Sequence, residues 1–156
     1  MKISDILEEK VIVTGLAGHS KDDIINSMVD LVGKSSKVLD QEKVRTAIFD
    51  REKIMSTGVG NGFAIPHGKT DAVTDTAAAF AVTAEAIDYQ ALDDKPVRLV
   101  FLLVGKDNMV GPHIKLLSRI SRLMNKEDFR NRLLAAGNPH EVIEIFKLEE
   151  ATYSDM

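Results

Sequence analysis

The eight residues Val97 to Val104 constrain this chain more than any others, because all but Arg98 are apolar. A run this short falls well under the ~20 residues that a helix needs to cross a bilayer. It reads as a strand, and a strand that is apolar at successive positions needs cover on both faces. Its surroundings supply that cover. Thr76 to Thr83 reads as a second long strand, with Val11 to Val13 and Phe63 to Ile65 as shorter ones. Glu85 to Pro96 suggests a further short strand and a turn at Asp93-Asp94. The expected fold is α/β: a single domain over 1–156, with a mixed β-sheet flanked by helices on both faces.

The helices are marked by their caps. Met1 to Glu8 reads as a short helix. Ser20 is an N-cap candidate with Asp23 three residues on, and Ile24, Met28, Leu31 and Val32 follow at helical spacing before Gly33. Lys34 to Val38 is a polar connector. Asp40 caps the next helix, where Val44, Ala47, Ile48 and Arg51 fall on one face. This puts Arg51 at the C-terminal end of an apolar stripe, where a cation complements the helix dipole and points inward. Gly111-Pro112 opens a helix with His113, Leu116, Leu117, Ile120 and Met124 on one side. Asn125 is expected to cap a helix running to Gly137, and Asn138-Pro139 to start a last one through Phe146.

Composition removes several kinds of function. The chain has no cysteine, so disulfides, thiolate metal sites and a thiol nucleophile are out. A net charge of −4 and the absence of tryptophan speak against a nucleic-acid partner. The first ten residues lack the apolar core of a signal peptide, and nothing suggests insertion in a membrane, so a cytoplasmic location is expected.

Histidine is the remaining candidate for chemistry. His19 and His140 lie near helix starts and read as ordinary solvated residues. His67 sits between Pro66 and Gly68, directly after a strand, with the glycine-rich Gly58-Val59-Gly60-Asn61-Gly62 upstream. That setting holds an imidazole at a sheet edge and leaves it approachable, although a turn histidine with a capping hydrogen bond reads equally well. His113 lies in the first turn of a helix, where the dipole favours a neutral ring. Taken alone it reads as a satisfied core histidine. The glycine loop matches neither a P-loop nor a dinucleotide fingerprint.

The stretch from Arg51-Glu52-Lys53 through Ser56-Thr57-Gly58-Val59-Gly60-Asn61-Gly62-Phe63-Ala64-Ile65-Pro66-His67-Gly68-Lys69 closely resembles the active-site signature of the enzyme IIA proteins of the fructose/mannitol family. That family belongs to the phosphoenolpyruvate-dependent sugar phosphotransferase system and includes a nitrogen-regulatory branch. Ala86 to Val97 and His113-Ile114-Lys115-Leu116-Leu117 add to the likeness, which covers nearly the whole chain in order. Where family members often carry a proline-containing turn, Gly105 to Val110 intervenes here.

The resemblance implies a phosphotransferase component. His67 matches the phosphoryl-accepting histidine, His113 the second active-site histidine and Arg51 the arginine beside it. The implied donor is the phosphohistidine of HPr, so no metal or other cofactor is needed. The implied acceptor is a cysteine of a sugar-specific IIB protein during sugar uptake, and the lack of cysteine here fits a free-standing IIA. The alternative within the family is a regulator whose phosphorylation state controls partner proteins. An alternative from another class is a metal-dependent hydrolase built on His67 and His113. Docking to partners is expected on a shallow apolar patch near His67 that includes Phe63 and Met55.

Overall fold

The computed structural model describes residues 2–152. Met1 of the expected first helix, and the two ends of the expected 1–156 domain, lie outside the described residues. The strands are β1 (Ile12–Leu16), β2 (Gly58–Gly60), β3 (Phe63–Ala64), β4 (His67–Lys69), β5 (Ala77–Ile87) and β6 (Val97–Gly105). The helices are α1 (Ile3–Ile6), α2 (Lys21–Val32), α3 (Gln41–Ile54), α4 (Val110–Met124), α5 (Glu127–Ala135) and α6 (Pro139–Glu150).

β6 is the centre of the sheet. On one side it pairs antiparallel with β5, which pairs parallel with β1; on the other it pairs parallel with both β3 and β4, and β2 adds outside β3. The sheet is therefore mixed, and every residue of β6 except Arg98 is buried. Helices cover both faces. A side chain at Gly68 would meet the Ala47 backbone of α3 at 3.2 Å, whereas one at Gly105 would meet His113 of α4 at 2.9 Å. Gly68 pairs with Val104 and Lys69 with Gly105, so the two glycines sit one step apart and face opposite ways. Phe80 and Phe101 lie opposite each other in β5 and β6 and pack against Phe146 of α6, their ring centroids 5.5 and 5.9 Å from it. Phe129 of α5 meets Phe146 edge-on at 5.2 Å. Such contacts add about 0.5–1.5 kcal/mol each beyond their buried area.

Among the described residues, side-chain caps account for three of the six helix starts. Ser20 accepts from the Asp23 N–H, Asp40 from the N–H groups of Glu42 and Lys43, and Asn138 from that of Glu141. The expected cap at Asn125 is corrected: Asn125 closes α4, and Lys126 precedes α5. Three strand expectations also change. The glycine-rich stretch is not wholly loop, because β2 and β3 form a hairpin around Asn61-Gly62, whose φ angles are 57° and 79°. Asn-Gly is the pair that such a two-residue turn requires. No separate strand follows Glu85, since β5 runs on to Ile87 across an irregular register. β1 begins at Ile12 and extends through Gly15, which takes a φ of 83°.

Candidate functional site

β3 and β4 form one interrupted strand. Phe63 pairs with Leu99 and His67 with Leu103, which is a single register maintained across Pro66. Proline has no N–H to give, but its carbonyl accepts from Leu103 N at 3.0 Å and holds the break to the sheet. β2 covers the outer side of β3, and among the described residues no strand covers the outer side of β4. His67 is thus the first residue of a short open edge. An open cavity of about 930 Å³ occupies the space there between α3 and α4, with Arg51, Ile54, His67, Lys69, His113 and Ile114 in its lining.

Hydrogen bonding settles the tautomer of His67. Its Nδ1 lies 2.7 Å from the Ile65 carbonyl oxygen, which can only accept. Nδ1 therefore carries the proton and Nε2 keeps a free lone pair. Burial holds the ring's pKa below the ordinary histidine value, and Arg51 pushes the same way against the opposing effects of the Ile65 bond and of Glu52. The ring is neutral at neutral pH.

His113 is 5 % exposed, and its ring centroid lies 5.9 Å from that of His67. Burial, then the nearby His67 and Lys69, push its pKa down to about 4. Its Nδ1 is buried without a hydrogen-bonding partner. The ring occupies space that exists because residue 105 has no side chain.

Arg51 needs a correction. The buried stripe of α3 is Val44, Ile48 and Glu52, and Arg51 stands beside it, half-buried on the cavity side. Its Nη1 donates to the Met55 carbonyl at 2.9 Å, and among the described residues no carboxylate pairs with it. The expected apolar patch is also corrected. Phe63 is 1 % exposed and belongs to the core. Met55 is exposed, as are Ile54, Val110 and Ile114. His19 is exposed, and His140 is an exposed residue whose Nδ1 lies 3.7 Å from Glu9. Among the described residues no three His, Cys, Asp or Glu side chains gather as a metal would need.

Sequence reasoning missed two residues near His67. Gly105 is one. Glu52 is the other: it lies 8 % exposed at the end of the α3 stripe and takes hydrogen bonds from Thr57 and Tyr89 and an ion pair from Lys21. A glutamate eight positions after Val44 on an apolar stripe was the available signal.

A neutral, oriented imidazole beside a second neutral histidine and an unpaired arginine defines a class: an α/β protein equipped to receive an anionic group at a sheet edge. The comparisons with known proteins narrow it. Residues 5–149 match the family model described as phosphoenolpyruvate-dependent sugar phosphotransferase system, EIIA 2, and the chain belongs to that family. It is 36 % identical over 93 % of its length to a fructose-specific EIIABC component of Bacillus subtilis, of which it spans only 23 %. It is 38 % identical to a fructose-specific EIIA component of Haloferax volcanii, over 81 % of this chain and 82 % of that one. The solved structure of nitrogen regulatory protein IIA-Ntr from Neisseria meningitidis superposes with a TM-score of 0.86 at 34 % identity, covering 92 % of this chain and 98 % of that one.

Proposed function

We propose that this protein is a histidine phosphocarrier that takes a phosphoryl group from phospho-HPr onto Nε2 of His67 and passes it to a cysteine of a IIB protein. The observation that carries the reading is the 2.7 Å bond from Nδ1 of His67 to the Ile65 carbonyl, which leaves the other ring nitrogen as a neutral nucleophile in the cavity. The Nε2 lone pair attacks phosphorus as the donor's P–N bond breaks; in the second transfer a thiolate attacks the same phosphorus as the P–Nε2 bond breaks and returns its electron pair to the ring. Transfer of this kind is governed by positioning and by charge around the oxygens. Phosphorylation adds about −1.5 to −2 charge, by analogy with other phosphorylated side chains. Arg51, free of carboxylates, answers part of it. His113, whose ring with a pKa of about 4 is neutral at neutral pH, donates its one N–H to a phosphoryl oxygen. Ile54, Val110 and Ile114 form an apolar rim suited to short-lived docking.

The test is incubation with enzyme I, HPr and labelled phosphoenolpyruvate. Label maps to His67 in the parent protein and is absent from folded His67→Ala. Label that persists at another histidine of that variant refutes the assignment. A regulatory reading uses the same acceptor and is favoured by the close match to IIA-Ntr over nearly its whole length. Adding a IIB protein with its permease and sugar separates the two. Loss of label to sugar supports transport, and retention supports regulation.

A further inference from the structure

A chain of hydrogen bonds runs from the buried end of α3 to the His67 ring. Glu52 accepts from the Thr57 N–H at 2.7 Å and from the Thr57 hydroxyl. The Thr57 carbonyl accepts from the Ile65 N–H at 3.0 Å. The Ile65 carbonyl accepts from Nδ1 of His67 at 2.7 Å. Ile65 and Pro66 form the break between β3 and β4, so ladder bonds there are sparse and the Thr57 contact fixes the Ile65 backbone from the outer side.

The origin of this chain is built with unusual care. A carboxylate near a helix C-terminus opposes the dipole, and burying it adds a desolvation penalty. Lys21 of α2 offsets both from 2.9 Å. Its ammonium also lies 5.0 Å from the centroid of the Tyr89 ring, which is fully buried. Burial and the Glu52 charge push the Tyr89 phenol far above its ordinary range, so it keeps its proton and donates to Glu52, with the Thr57 hydroxyl 3.1 Å from the same oxygen. A side chain at Gly58 would strike that ring at 2.8 Å, so the start of β2 is pressed directly on the cluster. Packing alone would be served as well by an apolar residue at position 52. The carboxylate supplies something else: two acceptors aimed at one residue, Thr57.

We propose that Glu52 is a positioning residue for His67, acting through Thr57 and the Ile65 carbonyl to keep the proton on Nδ1 and the lone pair on Nε2. The inference rests on the phosphocarrier reading for its consequence, but the tautomer itself is measurable without any transfer. When Thr57 loses its anchor, the Ile65 carbonyl turns away and His67 exchanges between tautomers. Half-populated tautomers leave fewer rings ready to react and leave docking intact.

The experiment is nitrogen NMR of His67 in the parent protein, Glu52→Gln, Thr57→Val and Thr57→Ser, with melting curves and transfer kinetics from phospho-HPr. The parent shows a protonated Nδ1 and a bare Nε2. Glu52→Gln and Thr57→Val move both shifts toward the averaged values and lower the maximal transfer rate about twofold, the loss set by half of the rings holding the other tautomer, with the Michaelis constant nearly unchanged. Thr57→Ser, which keeps the hydroxyl, restores the parental shifts. If Glu52→Gln fails to fold, the Val and Ser variants decide the matter alone. Parental shifts in folded Thr57→Val, or a loss of melting temperature with no change of tautomer, overturn the proposal. Absence of label on His67 with the expected shifts would instead sink the phosphocarrier reading.

Discussion

Buried carboxylates stand near the C-termini of two helices in this protein, Glu52 in one cluster and Glu149 with Glu150 in the other, and they are put to different uses. Glu52, at the end of α3, holds Thr57 and leads on to His67. Glu150, at the end of α6, accepts from the N–H groups of Ile3 and Ser4 at 2.6 and 2.9 Å and so caps α1 across 147 residues of sequence. Beside it Glu149 takes Arg132 at 2.7 Å and Lys126 at 3.1 Å. Burial alone would raise the pKa of Glu149, but these two cations bring it below the ordinary value. The chemistry is the same in both places: an unfavourable charge made tolerable by backbone and cationic donors. The far cluster ends where it begins, closing the first helix onto the last. The near cluster continues through Thr57 and Ile65 to the His67 ring. Burial of a charge therefore says little about function until its hydrogen bonds are followed to their end.

The largest effect is expected from the hydrophobic core, outside both carboxylate clusters. Phe63→Ala takes a buried ring from β3, next to the sheet centre, and should cost about 3–5 kcal/mol by urea denaturation. A loss under 1 kcal/mol would mean that Phe63 belongs to a docking surface after all.

Acid should separate the regions. His113 has a folded pKa of about 4 against an ordinary 6.5, so between those values the unfolded chain binds a proton that the native state refuses. Stability therefore falls as pH drops from 6.5 to about 4, by on the order of 1–3 kcal/mol. Glu149 behaves differently. Its contribution is whole above 4.5 and is lost only as pH falls below that value toward its depressed folded pKa. Stability measured across this range should flatten in the upper window for His113→Asn and in the lower window for Glu149→Gln. A single window shared by both variants would erase the distinction.

Glu150→Ala comes next. It strands one buried and one partly buried donor at the start of α1 and should cost about 1–3 kcal/mol, while labelling of His67 proceeds at the parental rate. Slowed labelling in the folded variant would show that the far cluster also reaches the cleft. The smallest effect on stability is expected for Gly105→Ala, about 1 kcal/mol of overpacking. Its methyl group takes the space of the His113 ring, so transfer should slow about tenfold, the loss of one hydrogen bond to a charged group. Unchanged transfer kinetics would remove His113 from the proposed machinery.

Legibility followed distance along the chain. The buried strand at Val97, the caps at Ser20, Asp40 and Asn138, and the break at Pro66 were readable because a cap, a proline or an unbroken apolar run acts on its nearest neighbours. The Asn61-Gly62 hairpin was equally local and was hidden only by reading its glycines as loop. Arg51 was misplaced by one position on its helix, because Ala47 and Ile48 satisfy two overlapping stripes and the packing of α3 chose the one through Glu52.

By itself, then, the sequence determined the two long strands, the helices begun at Ser20, Asp40 and Asn138, and that His67 directly follows a strand break at Pro66. Only the tertiary structure decided that β4 has an open edge, that His113 arrives 5.9 Å from His67, and that Glu52, Thr57 and Tyr89 meet. The reason is physical. A cap or a turn is paid for within one turn of chain, whereas His67 and His113 share a cleft only because β4 and α4 are set by the register of β6, and Thr57 meets Tyr89 across 32 residues only because β5 and β6 bring that loop back.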